Sequence, residues 1–264
     1  MNLLEEIISR KKEEIDKKRI DFPISELIKT EEFKKPTKSL GQSITSGSGI
    51  IAEFKHKSPT AGIIDNGLGL NDVLDIYRMN EVSGVSILTD EHYFGGSLED
   101  LKTAAAFEVG PVLRKDFIVD EYQIFEAKAY GADAILLIAE ALDEYHATYL
   151  TTIAKSIGLE VLMEFHSAEE LSKLNENVDV VGINNRNLKT LKTDIRTAFE
   201  LVKQLPYESI KIAESGISST YEIQELLKVG YNGFLIGESI LKNQGLLQGF
   251  NQAVEQFKNV RHEG

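Results

Sequence analysis

The sequence contains no cysteine, which removes disulfides, thiol nucleophiles and cysteine-ligated zinc together. Positive charge is in short supply: 29 Lys and Arg stand against 42 Asp and Glu, for a formal charge of −13. That balance speaks against nucleic acid as a partner, whose phosphates would be repelled overall. It still allows a small anionic substrate, because a few lysines make one pocket locally positive. No apolar stretch approaches ~20 residues, so neither a transmembrane helix nor a membrane partner is expected. The start, MNLLEE, lacks the long apolar core of a signal peptide, and the expectation is a cytoplasmic protein. No Pro/Gly/Ser-rich linker or low-complexity tract divides the 264 residues, so 1–264 is expected to form one domain. The five histidines (His56, His92, His146, His166, His262) lack metal-ligand spacing. Each is expected on the surface or in a loop, and no metal is expected.

What the chain does contain is eight short apolar runs, at 49–54, 85–88, 111–113, 134–138, 160–163, 178–183, 210–213 and 233–236. Nearly all end in polar residues: Lys55, Thr89 with Asp90, Lys115, Glu140, Glu164, Asn184, Glu214 with Ser215, and Gly237 with Glu238. Strands buried on both faces read as continuous Val/Ile/Leu, as in parallel sheets. Helical spacing fills the intervals, giving β-α repeated eight times. The expected fold is α/β, a single (β/α)8 TIM barrel, whose chemistry sits at the C-terminal ends of its strands.

Residues 1–48 precede the barrel as an N-terminal helical extension. Leu3, Leu4, Ile7, Ile8 and Ile15 form one apolar stripe of a helix running to about Arg19. Glu13–Lys17 and Glu14–Lys18 are spaced to pair on its solvated side. Arg10, Lys11, Lys12, Lys17, Lys18 and Arg19 interleave with glutamates, which favours a solvated face over a binding patch. Pro23 opens a second short segment at 24–28. Barrel helices are expected near 71–79, 98–108, 121–130, 143–157, 168–174, 194–204, 220–228 and 249–258, with a short extra segment at 238–242.

Several strand ends carry groups suited to chemistry. In EFKHKSPT, alternation sends Glu53, Lys55 and Lys57 to one side, opposite Phe54 and His56. A carboxylate beside ammonium groups suits an anionic substrate, although a solvated ion cluster explains the pattern as well. In LRKDF, a lysine leaving a buried strand is costly unless it faces a pocket, where Lys115 serves as an acid or a Schiff-base nucleophile. Arg114 is expected to point outward and pair with an acid. Glu164 closes the fifth run and could act as a base, or merely partner an arginine. Asn184, Asn185 and Arg186 offer directional donors for a carboxylate or hydroxyls, but loops also favour Asn. AESGIS and LIGES provide small residues that let backbone N–H groups approach a phosphate.

Taken in order, EFKHKSPT, SILTDEHYFGGS, LRKDFIVD, VLMEFHS, GINNRNL, AESGI and FLIGESIL closely resemble the indole-3-glycerol phosphate synthase family across essentially the whole chain. The resemblance implies ring closure of 1-(2-carboxyphenylamino)-1-deoxyribulose 5-phosphate, with loss of carbon dioxide and water, in tryptophan biosynthesis. It implies no metal or organic cofactor. It assigns the catalytic acid to Lys115 and the base to Glu164, with Glu53, Lys55, Asn184 and Glu214 as further catalytic residues. Ser58, Phe94, Phe117, Leu136, Arg186 and Leu188 would contact substrate, the apolar ones as a wall for the aryl ring, although ordinary core explains Leu136 equally. Phosphate would be held by Lys55, Ser215, Gly216, Gly237 and Glu238, the last two by backbone. His56 stands where Arg is common and Thr60 where Ser is common. The partner is expected to be a small phosphorylated anion, and the assembly a monomer or weak homodimer. The extension is expected over the barrel mouth.

Two other functions compete. A phosphosugar isomerase or aldolase would use Lys115 to form a Schiff base. A non-catalytic phospho-ligand barrel would need the phosphate grip and little else, which the other strand-end ionisable groups argue against.

Overall fold

The computed structural model describes residues 3–59, 62–64 and 67–262, with side chains through 259. Thr60 lies outside the described residues. Eight parallel strands close a barrel: β1 (Ile50–Phe54), β2 (Gly84–Leu88), β3 (Val112–Lys115), β4 (Ala134–Ile138), β5 (Glu160–Phe165), β6 (Val180–Asn184), β7 (Ile210–Glu214) and β8 (Gly233–Ile236). Each strand pairs with its sequence neighbours, and β1 joins both β2 and β8. β1, β2, β4 and β8 end where the apolar runs end, but β3, β5, β6 and β7 continue one to two residues further. Lys115, Glu164, Asn184 and Glu214 are therefore strand residues, anchored by the barrel ladder.

Alternation divides the strands between two cores. Outward residues such as Ile135, Val161, Phe165 and Phe234 meet the surrounding helices, and all are fully buried. Inward residues Ile51, Leu113, Leu162 and Ile212 fill the barrel. They lie on the odd strands, and the next inward residues on those strands are Glu53, Lys115, Glu164 and Glu214. Barrel interiors stack in such layers, four side chains from alternate strands. An ionisable layer thus caps an aliphatic one.

Among the described residues, four helices precede the barrel: α1 (Leu3–Asp21), α2 (Ile24–Leu27), α3 (Glu31–Lys34) and α4 (Leu40–Ser46). Leu4 and Ile7 of α1 join the barrel-interior cluster at the mouth, and Leu40 and Ile44 of α4 join it at the opposite end. Gly41 of α4 donates to Glu160, at the start of β5, which identifies that end as the bottom. Between them α2 and α3 pack on the helix Glu121–Ala129, with Ile15, Leu27 and Tyr122 forming a small cluster of their own. The extension therefore runs from the mouth, down one side, to the base. Burying a Leu or Ile side chain stabilises by roughly 1.5–3 kcal/mol, so Leu4 and Ile7 hold α1 in place.

The polar side of α1 differs from expectation. Lys18 pairs with Glu126 on the helix Glu121–Ala129 rather than with Glu14, which is taken by Arg10 and Lys11. Arg19 bonds Asp120. Lys11 is buried rather than solvated: its side chain is 7% exposed and contacts Asp90 at 2.8 Å and Asp116 at 3.0 Å. Tertiary partners win over the i,i+4 pair because they are already fixed and desolvated. Arg114 points outward as expected and is fully buried, bonded to Asp116 and Glu126.

Three helices depart from their expected extents. The segment Ala168–Lys173 is a 3-10 helix, the 194–204 segment divides into Arg196–Leu201 and a 3-10 turn Val202–Gln204, and the last helix begins at Gly245. The short segment after β8 is a helix, Glu238–Lys242.

Candidate active site

A cavity of about 470 Å³ opens at the C-terminal ends of the strands. Glu53, Lys115 and Glu164 of the ionisable layer line its floor, whereas Glu214 lies beneath, reaching the site only through Lys115. Lys115 Nζ lies 2.7 Å from Glu214 Oε2, 3.4 Å from Glu164 Oε2 and 3.6 Å from Glu53 Oε2. Lys55 Nζ lies 2.5 Å from Glu53 Oε1. Gly182 on β6 leaves the space these carboxylates occupy, since a Cβ there would stand 2.4 Å from Glu214 Oε1.

Burial and charge act against each other in this layer. Burial alone would depress Lys115, but Glu214, Glu164 and Glu53 outweigh it and hold the ammonium above its ordinary range. Glu164 is buried, which favours the neutral acid, yet Lys115 and His166 hold it well below the usual carboxylate range. Burial pushes Glu214 up to about 8; Lys115 opposes the shift, while neighbouring Glu164 adds to it. Glu164 and Glu214 face the same ammonium, and burial leaves the proton on Glu214 rather than on Glu164 near neutrality. Two adjoining carboxylates with values pushed apart form an acid–base pair. Burial would raise Glu53 also, but Lys55 and Lys115 keep it lowered.

The walls are apolar. Leu3, Leu4 and Ile7 of α1 form one side, and Phe94, Phe117, Leu136 and Leu188 line the rest. Phe94 and Phe117 have ring centroids 6.3 Å apart. Leu136 also belongs to the barrel-interior cluster, so its core and cavity roles coincide. Ser58, Asn184 and Arg186 border the same space. Asn184 Oδ1 accepts from the Arg186 backbone N–H, fixing that turn, and Arg186 Nη2 stands 3.7 Å from Glu238 Oε2.

Opposite the aromatic wall, Ser215, Gly216, Gly237 and Glu238 come together from the ends of β7 and β8. Ser215 and Gly216 are consecutive left-handed residues, with φ of 64° and 74°. They make a sharp turn after β7, and a turn aims backbone N–H groups into a concavity for an anion. A Cβ on Gly237 would meet Glu53 Oε1 at 2.6 Å, so only glycine lets the β8 loop approach β1 this closely. Ser239 Oγ donates to the Ile217 carbonyl and ties the two loops together.

Lys57 does not join Glu53 and Lys55 in the cavity. After Phe54 the chain leaves the barrel, and Lys57–Ser58 pairs with Gly62–Ile63 in a small antiparallel hairpin, which ends the strand's alternation. His56 packs edge-on against Phe54 and pairs with Asp100 outside the site.

His166 lies in a loop, one of the two places expected of it, and not on the surface. It follows β5 in the loop, but its side chain is 3% exposed, with Nε2 3.1 Å from Glu164 Oε1 and Nδ1 3.6 Å from Glu170 Oε2. Alternation could have found it, because residue 166 repeats the inward direction of Glu164. Glu140, His166 and Glu170 bring ligand-type atoms within 4.8 Å of one another. Cationic groups already neutralise this cluster, since Lys189 Nζ sits 2.9 Å from Glu140 Oε1.

The indole-3-glycerol phosphate synthase family model matches residues 4–253. Indole-3-glycerol phosphate synthase from Bacteroides thetaiotaomicron is 43% identical over 258 residues, covering 96% of this chain and 99% of that protein. The enzyme of the same name from Caldanaerobacter subterraneus is 40% identical over 255 residues, covering 96% and 98%. Among solved structures, KGPDC from Streptococcus mutans aligns with a TM-score of 0.60 at 12% identity, over 79% of this chain and 97% of that one, a likeness of fold. With its matching barrel and near full-length coverage, the chain belongs to the indole-3-glycerol phosphate synthase family.

Proposed function

We propose that Lys115 is the acid and Glu164 the base of the reaction at this barrel mouth. The chain is a carbon–carbon lyase of tryptophan biosynthesis, an indole-3-glycerol phosphate synthase. Its substrate, 1-(2-carboxyphenylamino)-1-deoxyribulose 5-phosphate, closes to the indole with loss of carbon dioxide and water. The observation that carries the assignment is Lys115, nearly enclosed and surrounded by three carboxylates.

As the aryl carbon bearing the carboxylate attacks the ketone, negative charge grows on the ketone oxygen. An ammonium held above its ordinary range gives its proton only to a strongly basic oxygen, and the developing alkoxide is one. Loss of carbon dioxide, then of the hydroxyl as water, restores the aromatic system. Proton delivery to the departing hydroxyl and removal of a ring proton need an acid and a base together. Glu164 is held ionised, so it accepts; Glu214, near 8, carries a proton to share. Glu53 and Asn184 hold Lys55, Lys115 and the β6 turn in position.

Substrate binding follows the same division. The aryl ring fits between Phe94, Phe117, Leu136 and Leu188, with Ser58 at the rim. Arg186 supplies a guanidinium for the substrate carboxylate. Ser215, Gly216, Gly237 and Glu238 receive the phosphate through backbone N–H groups, with Lys55 as counter-charge. No cofactor enters this scheme. The same proposal takes 1–264 as one domain with 1–48 as an extension, acting in the cytoplasm as a monomer or weak homodimer. The charge of −13 supports a partner set without nucleic acid.

A Schiff-base aldolase would need Lys115 neutral and nucleophilic, which requires a depressed ammonium. Here the carboxylates hold it raised, favouring the acid role. Borohydride trapping with mass spectrometry separates the two: no lysine adduct is expected, and a stable adduct on Lys115 would favour the aldolase.

A further inference from the structure

We propose that His166 is a positioning residue for Glu164, holding that carboxylate ionised and aimed at the cavity through an alternating row of charges, Lys115, Glu164, His166 and Glu170. The proposal rests on Glu164 being the base. Its ground is geometric. Glu164 Oε2 faces Lys115 at 3.4 Å, while Glu164 Oε1 faces His166 Nε2 at 3.1 Å, so each carboxylate oxygen has its own cation. Without His166, Glu164 would share one ammonium with Glu53 and Glu214.

The row is braced on its far side. Glu170 Oε2 accepts from the His166 backbone N–H at 2.9 Å and stands 3.6 Å from the ring Nδ1, while Glu170 Oε1 accepts from Ser167 Oγ. Glu140, from the turn after β4, adds a third carboxylate to the group around the imidazole, and Lys189, from the β6 loop, is bonded to it. Lys173 caps the Ala139 carbonyl next to this turn. Neither ring nitrogen makes an aligned hydrogen bond, so the contact with Glu164 is one between charges. A neutral ring would lose it. Burial alone would discharge the ring, but Glu164 and Glu170 outweigh burial and push His166 up to about 10. The imidazolium therefore persists throughout the neutral range.

The consequence falls on the base rather than on substrate affinity. Removing the imidazolium leaves Glu164 less ionised at a given pH, so the acid limb of kcat moves upward. His166→Gln should displace the acid limb of kcat upward by about one pH unit with KM little changed, so that on that limb, where Glu164 is taking up its proton, kcat falls on the order of tenfold below the native chain. Glu170→Gln, which loosens the ring without touching Glu164, should move the limb in the same direction by less. His166→Arg, which keeps a cation, should recover part of the loss. In protein carrying 13C-labelled histidine, the resonance missing from His166→Gln should stay protonated through pH 8, where exposed histidines have titrated. An unmoved acid limb in both His166→Gln and Glu170→Gln, or a His166 resonance titrating below 7, would overturn the inference. Glu164→Gln is run alongside: its loss of turnover keeps the base assignment standing whichever way the His166 result falls, and retained turnover would instead sink that assignment.

Discussion

Lys11 Nζ on α1 lies 3.0 Å from Oδ1 of Asp116, the residue that follows Lys115 in the chain. The same ammonium reaches Asp90 on the other side, so one buried lysine latches the extension to the rims of β2 and β3. Removing it takes the ammonium from buried Asp90 and leaves Asp116 with Arg114, which costs up to about 3–5 kcal/mol. Burial alone would raise Asp116, but Lys11 and Arg114 hold it well below the usual carboxylate range. Its contribution is thus present above the unfolded value of ~4 and lost as pH falls further. Burial would likewise lower Lys11, but Asp116 and Asp90 hold it raised, so its share is full below ~10.4 and lost as pH rises through the folded value. Lys11→Met should therefore destabilise most between these limits. Urea unfolding at pH 7 and pH 3 checks this, with the penalty shrinking at the lower pH.

Deleting residues 1–35 removes α1 to α3 while leaving α4 at the base. Leu3, Leu4 and Ile7 then no longer wall the cavity. The expected outcome is a raised KM or lowered kcat in a barrel that still unfolds cooperatively. Steady-state kinetics with a denaturation curve test it, and unchanged kinetics would exclude the extension from the site.

The phosphate grip makes a separate claim. A substrate analogue without phosphate should bind far more weakly, and inorganic phosphate or sulfate should compete with substrate. Gly237→Ala should raise KM, because its methyl group would press on Glu53 and push the β8 loop outward. Competition measured by inhibition kinetics decides the first point, and the variant the second.

Glu214, near 8, sets an alkaline limit. Below that pH it is neutral; above it, Lys115 faces a further full negative charge and gives up its proton less readily. kcat/KM should fall above about pH 8. Glu214→Gln, which stays neutral, should be slower yet lack that alkaline limb.

Much of this site was legible because two periodicities coincide in the chain. Lys115, Glu164 and Glu214 each stand two residues beyond an aliphatic residue that faces the barrel axis, so alternation and strand-end polarity point to the same groups. The two loops proposed to hold phosphate were legible from small residues placed after the last two strands. His166 carried the same alternation signal, but it lies past the strand, where loop character is the ordinary expectation for histidine. Lys11 was masked by its basic neighbours: it sits on the stripe of Leu4, Ile7 and Ile15, and the acids that bury it come from distant strands. Gly182 gave only a glycine inside a strand, a mark of close approach whose object, the Glu214 carboxylate, appears only when β6 and β7 lie side by side.

The most direct test follows turnover of 1-(2-carboxyphenylamino)-1-deoxyribulose 5-phosphate by indole fluorescence, comparing the native chain with Lys115→Ala at equal folded concentration. General acids typically contribute 10²–10⁴-fold. The account predicts fluorescent product from the native chain and a loss in that range from the variant, with substrate still bound. A native chain that forms no product, or a Lys115→Ala variant that loses less than about tenfold, would contradict it.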